Sequence, residues 1–317
     1  MARGQSKVGL GYALVVGGAC FFIVNAGVSR VVMRAGIDPA LLTTLRTTGA
    51  ALLFVAFALV ADRSALRVPR GRELALLLLL GVVGVAGVQW TYNIAIDRIP
   101  VGMALLLEYL APVLVVLWAR FVQKQDVRRT MWLAIALTLA GLALVAQITE
   151  GLAFDGVGML AGLGAAVCFA VYFLVGEQGV RDADPVRVMV WAFTFAALAM
   201  NVVSPVWTTP DLSTPANLLG ALDAYEVPLW LALAWVVVLG TLTPFFMELS
   251  ALQYLPATVV TMVATLEPVG AAALGWAWFG ESLNAVQVVG GLLVVAGIAL
   301  AQLSRTAPPS VVPEVAG

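Results

Sequence analysis

The chain has 317 residues, 62% of them hydrophobic and only 11% charged, with 17 Lys and Arg against 18 Asp and Glu. Soluble domains carry charge on about a quarter of their residues, so this surface is not built for water, and the chain reads as an all-α integral membrane protein. Histidine is absent, which removes Ser/His/Asp chemistry and most metal hydrolases from the expectations and leaves no cofactor or metal to expect.

Ten apolar segments follow one another, over residues 9–29, 39–61, 74–96, 101–122, 130–149, 156–177, 186–207, 229–252, 257–279 and 284–303. Each is long enough to be read as a membrane-spanning helix. The first follows Arg3 and Lys7 without a small-residue cleavage signal and is read as a retained helix. Cys20 and Cys168 both sit within apolar runs and read as small packing residues. The longest connection, residues 208–228, has no Lys or Arg, and the Pro-rich stretch 304–317 reads as a disordered cytoplasmic tail.

Basic residues predict the orientation. With the N-terminus inside, the inner segments hold Arg3, Lys7, Arg63, Arg67, Arg70, Arg72, Arg120, Lys124, Arg128, Arg129, Arg181, Arg187 and Arg305. The outer segments hold Arg30, Arg34 and Arg98. Thirteen against three places both termini in the cytoplasm.

The ten segments repeat. Shifted by 156, residues 84–144 align without a gap to 240–300, so that Gly84 meets Gly240, Pro100 meets Pro256 and Pro112 meets Pro268. Upstream, Cys20-Phe21 corresponds to Cys168-Phe169 at a different offset. Residues 1–150 and 151–303 then form two repeats of five helices. Five is odd, so the second repeat enters the membrane inverted relative to the first, a plan that puts a transporter's site near the midplane between the halves.

The stretches "AIDRIPVGMALLLEYLAPVLVVLWARF" and "ALQYLPATVVTMVATLEPVGAAALGWAWFGESL", with the Gly-rich closing helices of each half, resemble EamA-type members of the drug/metabolite transporter superfamily. The resemblance covers nearly the whole chain except the tail. It implies a plasma-membrane (inner-membrane) exporter of amino acids, other metabolites or toxic compounds. It further implies a central cavity lined mainly by helices one, three, four, six, eight and nine, with helices five and ten peripheral. One departure from the pattern stands out: "GESL" follows the ninth helix, but "QKQD" follows the fourth.

A charged side chain at the centre of a membrane helix costs about 2.5–3.5 kcal/mol. Arg46, Glu108, Glu248 and Glu267 therefore need a partner, a wet cavity or a proton. Arg46 and Glu108 lie at similar depth, ~10 Å from the outer face, and can pair; Glu267 lies ~15 Å from the inner face, near the midplane; Glu248 is shallower. Glu267 reads as a proton-accepting or cation-binding group, or as a neutral hydrogen-bonded glutamate that fixes packing. Arg46 reads as a holder of a substrate carboxylate, or as a cation snorkelling to the interface. Pro112 and Pro268 each strand a carbonyl one turn earlier, at Glu108 and Ala264, and predict kinks there. Gln89, Tyr92 and Asn93 share one face of helix three, and Asn25, Tyr109 and Tyr172 add polar groups that suit a small zwitterion or amide. Trp90, beside them, reads as an interfacial anchor.

These features predict a secondary active transporter that exports an amino acid or related small metabolite by alternating access, with proton antiport as a mechanism. A multidrug exporter is the alternative, and a membrane sensor or scaffold a more distant one. No enzymatic cluster and no nucleic-acid patch stands out. The partners expected are a small-molecule substrate, protons and the lipid bilayer, with the chain a monomer or homodimer.

Overall fold

The computed structural model describes residues 2–122, 124, 129–145, 155–182, 184–251, 254, 264, 266–281 and 284–305. Six helices are long and apolar enough to cross a membrane: Val8–Arg34, Pro39–Ala61, Gly71–Arg98, Gly156–Gly176, Val186–Val203 and Leu229–Glu248. Shorter apolar helices cover Val101–Val115, Arg129–Gly141 and Ala285–Gly297. Large apolar side chains such as Val60, Val202, Leu160 and Leu292 stand exposed around the bundle, as a hydrocarbon solvent permits and water does not. The start of the expected helix 257–279, and the tail beyond residue 305, lie outside the described residues.

Helix α1 (Ala2–Arg34) is longer than composition suggests, because no helix breaker interrupts it before Gly36, whose φ is +103°. In α2 (Pro39–Ala61) Asp38 caps the amides of Ala40 and Leu41, with Pro39 in the first turn. The third apolar segment is α3 (Gly71–Leu79), a π-helical segment (Leu80–Gly87) and α4 (Val88–Arg98). The fourth is broken into α5 (Val101–Glu108) and α6 (Ala111–Phe121), with Pro112 in the first turn of α6. The break falls at Tyr109 and Leu110, where a proline at 112 frees the Glu108 carbonyl.

Beyond it come α7 (Arg129–Val145), α8 (Gly156–Asp182) and α9 (Pro185–Val203). Asp155 caps the amides of Val157 and Gly158 and accepts from Arg98; the Gly158 amide first, then the Arg98 guanidinium, hold its carboxyl below the ordinary carboxylate range. Helix α9 stops at Val203, four residues before its expected end, since Ser204 is extended and Pro205 follows. The connection 208–228 is ordered into a small antiparallel hairpin, β1 (Pro215–Asn217) and β2 (Glu226–Pro228). The eighth segment is α10 (Leu229–Val237), a second π-helical segment (Val238–Leu242) and α11 (Thr243–Ala251). Helices α12 (Leu266–Phe279) and α13 (Ala285–Arg305) complete the described chain.

The packing partners come in exchangeable pairs. Helix α4 packs on α8 as α1 packs on α11, and α5 packs on α8 as α1 packs on α12. The first π-helical segment packs on α9 as the second packs on α2. Shifted by 156 residues, the first segment covers 236–243, and the second lies inside that range. Asp-Pro pairs, 38–39 and 184–185, open α2 and α9, which pack on each other, as do α7 and α13. Two larger apolar clusters result among the described residues. One gathers Val31, Ile37, Leu42, Ile96, Ile99 and Leu229 at the hairpin end, and the other gathers Phe54, Leu77, Val188, Phe193 and Met200.

Candidate functional site

A cavity lies in the middle of the bundle. Asn25 and Phe22 enter it from α1, Arg46 from α2, and Val88, Gln89 and Tyr92 from α4. Leu105 and Glu108 of α5 line it with Tyr109, and Phe169, Tyr172 and Phe173 of α8 form one wall. Phe245 and Glu248 of α11, Ala264, which precedes α12, and Glu267 of α12 close the circle. Helices α7, α9 and α13 contribute no lining residue among those described.

Arg46 is 3% exposed, too deep to snorkel. Its Nε donates to Thr241 Oγ1 at 3.0 Å and its Nη2 donates to the Gly240 carbonyl at 3.1 Å. Thr241 Oγ1 in turn donates to the Val236 carbonyl at 2.7 Å. Both acceptors belong to residues of the second π-helical segment, where the backbone departs from the regular α ladder. The pairing that depth allows between Arg46 and Glu108 does not form: no carboxylate of a described residue lies within 4.0 Å of Arg46. Equal height along the bundle axis brought the two side chains to one cavity but not into contact, because the guanidinium turns towards the eighth segment.

Glu267 is 6% exposed, and its carboxyl shares a hydrogen bond with the Tyr109 hydroxyl at the helix break. Pro268, beside it, is buried; the residues in which its kink was expected lie mostly outside the described ones. Glu108 and Glu248 complete a set of three carboxyls around one guanidinium. Polar atoms without a partner among the described residues cluster at the same place: Asn25 Oδ1, both amide atoms of Gln89 and the Tyr92 hydroxyl. Buried polar groups are paired in nearly all native structures, so this group marks a place where a polar ligand would find partners. Asn93 stands apart from the cavity, its Nδ2 donating to Thr43 Oγ1 at 3.0 Å, so it ties α4 to α2. Trp90, half-buried, packs against the second apolar cluster.

Sequence reasoning overlooked the aromatic wall. Phe169 stacks on Tyr172 with centroids 5.8 Å apart, Phe173 lies 4.5 Å from Phe169, and Phe245 meets Phe22 edge-on at 5.3 Å. The signal was present, since residues 169, 172 and 173 stand at i, i+3 and i+4 on one helix face. Of the two cysteines, Cys168 packs where a side chain on Gly87 would sit, but Cys20 is exposed on α1 and has no packing role.

Comparison with known proteins places this geometry in a family. The profile of the EamA-like transporter family matches residues 9–147 and again 156–303. The chain is similar to the threonine/homoserine exporter RhtA of Escherichia coli strain K12, 26% identical over 272 residues, 83% of this chain and 80% of that one. It is similar to a transporter of Archaeoglobus fulgidus without a characterised function, 29% identical over 67% of this chain and 70% of that one. A crystal structure of a protein 20% identical matches the fold with a TM-score of 0.61, covering 96% of this chain and 99% of the other. With both halves matched and nearly the whole length covered, the chain belongs to the EamA-like transporter family.

Proposed function

We propose that the protein is a secondary active carrier of the plasma membrane that exports a small amino acid of the threonine or homoserine kind in exchange for protons. The observation that carries this reading is the cavity, where one guanidinium, three carboxyls and unpartnered amide and hydroxyl atoms surround an aromatic wall. Arg46 suits a substrate carboxylate, an ionised glutamate suits the ammonium group, and Asn25, Gln89 and Tyr92 suit a side-chain hydroxyl. Glu267 is the proton carrier in this scheme: a buried carboxyl favours its neutral form and releases the proton when access alternates.

The carrier works as two inverted repeats, residues 1–150 and 151–303, each of five helices. The exchangeable packing pairs and the matched π-helical segments support it. The hairpin end faces outside and both termini face the cytoplasm, as the arginine distribution suggests.

The aromatic wall favours a second reading, export of apolar cations, through cation–π attraction. Uptake into inside-out vesicles distinguishes the two. The first reading expects labelled threonine to accumulate and to be displaced by homoserine but not by lipophilic cations. The reverse order of competition supports the second. Accumulation equal to that of empty vesicles for both classes rejects transport of either.

A further inference from the structure

At the hairpin end, above the cavity, Arg30 near the end of α1 joins three other parts of the chain. Its Nη1 donates to the Glu281 carboxylate beyond α12, its Nε to the Ile96 carbonyl at 3.0 Å and its Nη2 to the Ile99 carbonyl at 2.8 Å. The guanidinium also lies over the Phe279 ring, 5.1 Å from its centroid. The ion pair is largely out of solvent, its side chains 13% and 18% exposed. Space for it is built in: the Glu281 carboxylate occupies the place of the missing side chain of Gly275. The hairpin loop is fastened to the same corner, where Trp278 Nε1 donates to the Leu218 carbonyl at 2.8 Å. Helices α1 and α12, and the turn between α4 and α5, belong to both halves of the chain, so no change of access at this end leaves all these bonds in place.

At the 156-residue offset Phe279 corresponds in sequence to Gln123 and Glu281 to Gln125, and at the 148-residue offset set by the Cys-Phe pairs Arg30 corresponds to Gln178, so the sequence does not repeat this charged pair at the matched positions.

We propose that Arg30, Phe279 and Glu281 form the gate that closes the cavity to the outside and bias the resting carrier towards access from the cytoplasm. Breaking a largely desolvated ion pair by removing one partner leaves the other charge without compensation. Neutralising either residue therefore removes support from the outside-closed state and shifts the population towards the opposite one. The proposal rests on the orientation given above, but not on any substrate.

The test labels a single cysteine from outside intact cells with a membrane-impermeant thiol reagent. The parent is V88C, a cavity position, in a C20A/C168A background. The parent is expected to be protected. E281Q and R30Q are expected to raise its labelling rate roughly tenfold, the change that loss of one charge-assisted contact gives a two-state equilibrium. F279L, which keeps the ion pair and removes only the ring over the guanidinium, is expected to raise it as well, and it supplies the readout should E281Q and R30Q fail to elute as monodisperse species. A parent already labelled from outside overturns the proposal. So do monodisperse E281Q and R30Q that stay protected, or an F279L variant that leaves the rate unchanged. Labelling needs no transported substrate, so a failed transport assay and a failed gate are separate results.

Discussion

A guanidinium inside a membrane bundle must find acceptors, and Arg46 takes two from the π-helical segment of the eighth apolar stretch, Thr241 Oγ1 and the Gly240 carbonyl. Both acceptors are neutral, so they hold the side chain in place without discharging it, and the cation stays available to an anionic group in the cavity. Thr241→Val keeps the shape but removes the acceptor and the bond to Val236. It is expected to cost about 1.5–3 kcal/mol, the range for hydrogen bonds to charged groups, and to lower both apparent melting temperature and transport. Thr241→Ser is expected to restore both, and a valine variant indistinguishable from the parent would show that Arg46 is held otherwise. The need of Arg46, Glu108, Glu248 and Glu267 for a special environment was legible in the sequence, because a charge in an apolar run is costly wherever it points. Their partners were not. Depth along a helix follows from counting residues, whereas azimuth depends on how neighbours pack, and a π turn adds a residue that counting at 3.6 per turn does not include.

At the scale of elements, helix ends and breaks follow local chemistry. Asp-Pro starts two helices, Pro112 breaks a third, and Gly36 ends the first, all of which sequence rules recognise. The pairing of α7 with α13 is of another kind. A side-chain carbon on Gly141 would lie 2.5 Å from the Gly290 carbonyl and 2.7 Å from the Val294 amide, so the two backbones touch where only hydrogen fits. Gly141→Val is expected to force the helices apart at a cost of about 1–3 kcal/mol, typical of overpacking. A lower thermal-unfolding midpoint in detergent is the readout, with cavity ligands still bound because neither helix lines the cavity. Nothing in the sequence says which helix approaches Gly141, because that depends on how the helices pack. The hairpin in residues 208–228 was not legible at all: three-residue strands carry too little periodicity to stand out from a polar loop.

For the whole molecule, prolines and glycines match 156 residues apart, the EamA-like profile matches twice along one chain, and helix packing comes in exchangeable pairs. The charges are not matched in the same way. Glu108 corresponds to Ala264 and Glu267 to Ala111, and Glu108, Ala264 and Glu267 all face the cavity while Ala111 is buried in a small apolar cluster. Under the proposed exchange, this uneven placing of carboxyls suits a carrier that loads protons and substrate from opposite sides. The most direct measurement is proton movement itself, followed with a pH-sensitive dye inside proteoliposomes as threonine is added outside. The account predicts an immediate substrate-dependent pH change that Glu267→Gln abolishes while threonine still raises that variant's melting temperature. Threonine transport without a pH change, or a pH change that survives Glu267→Gln, would contradict it.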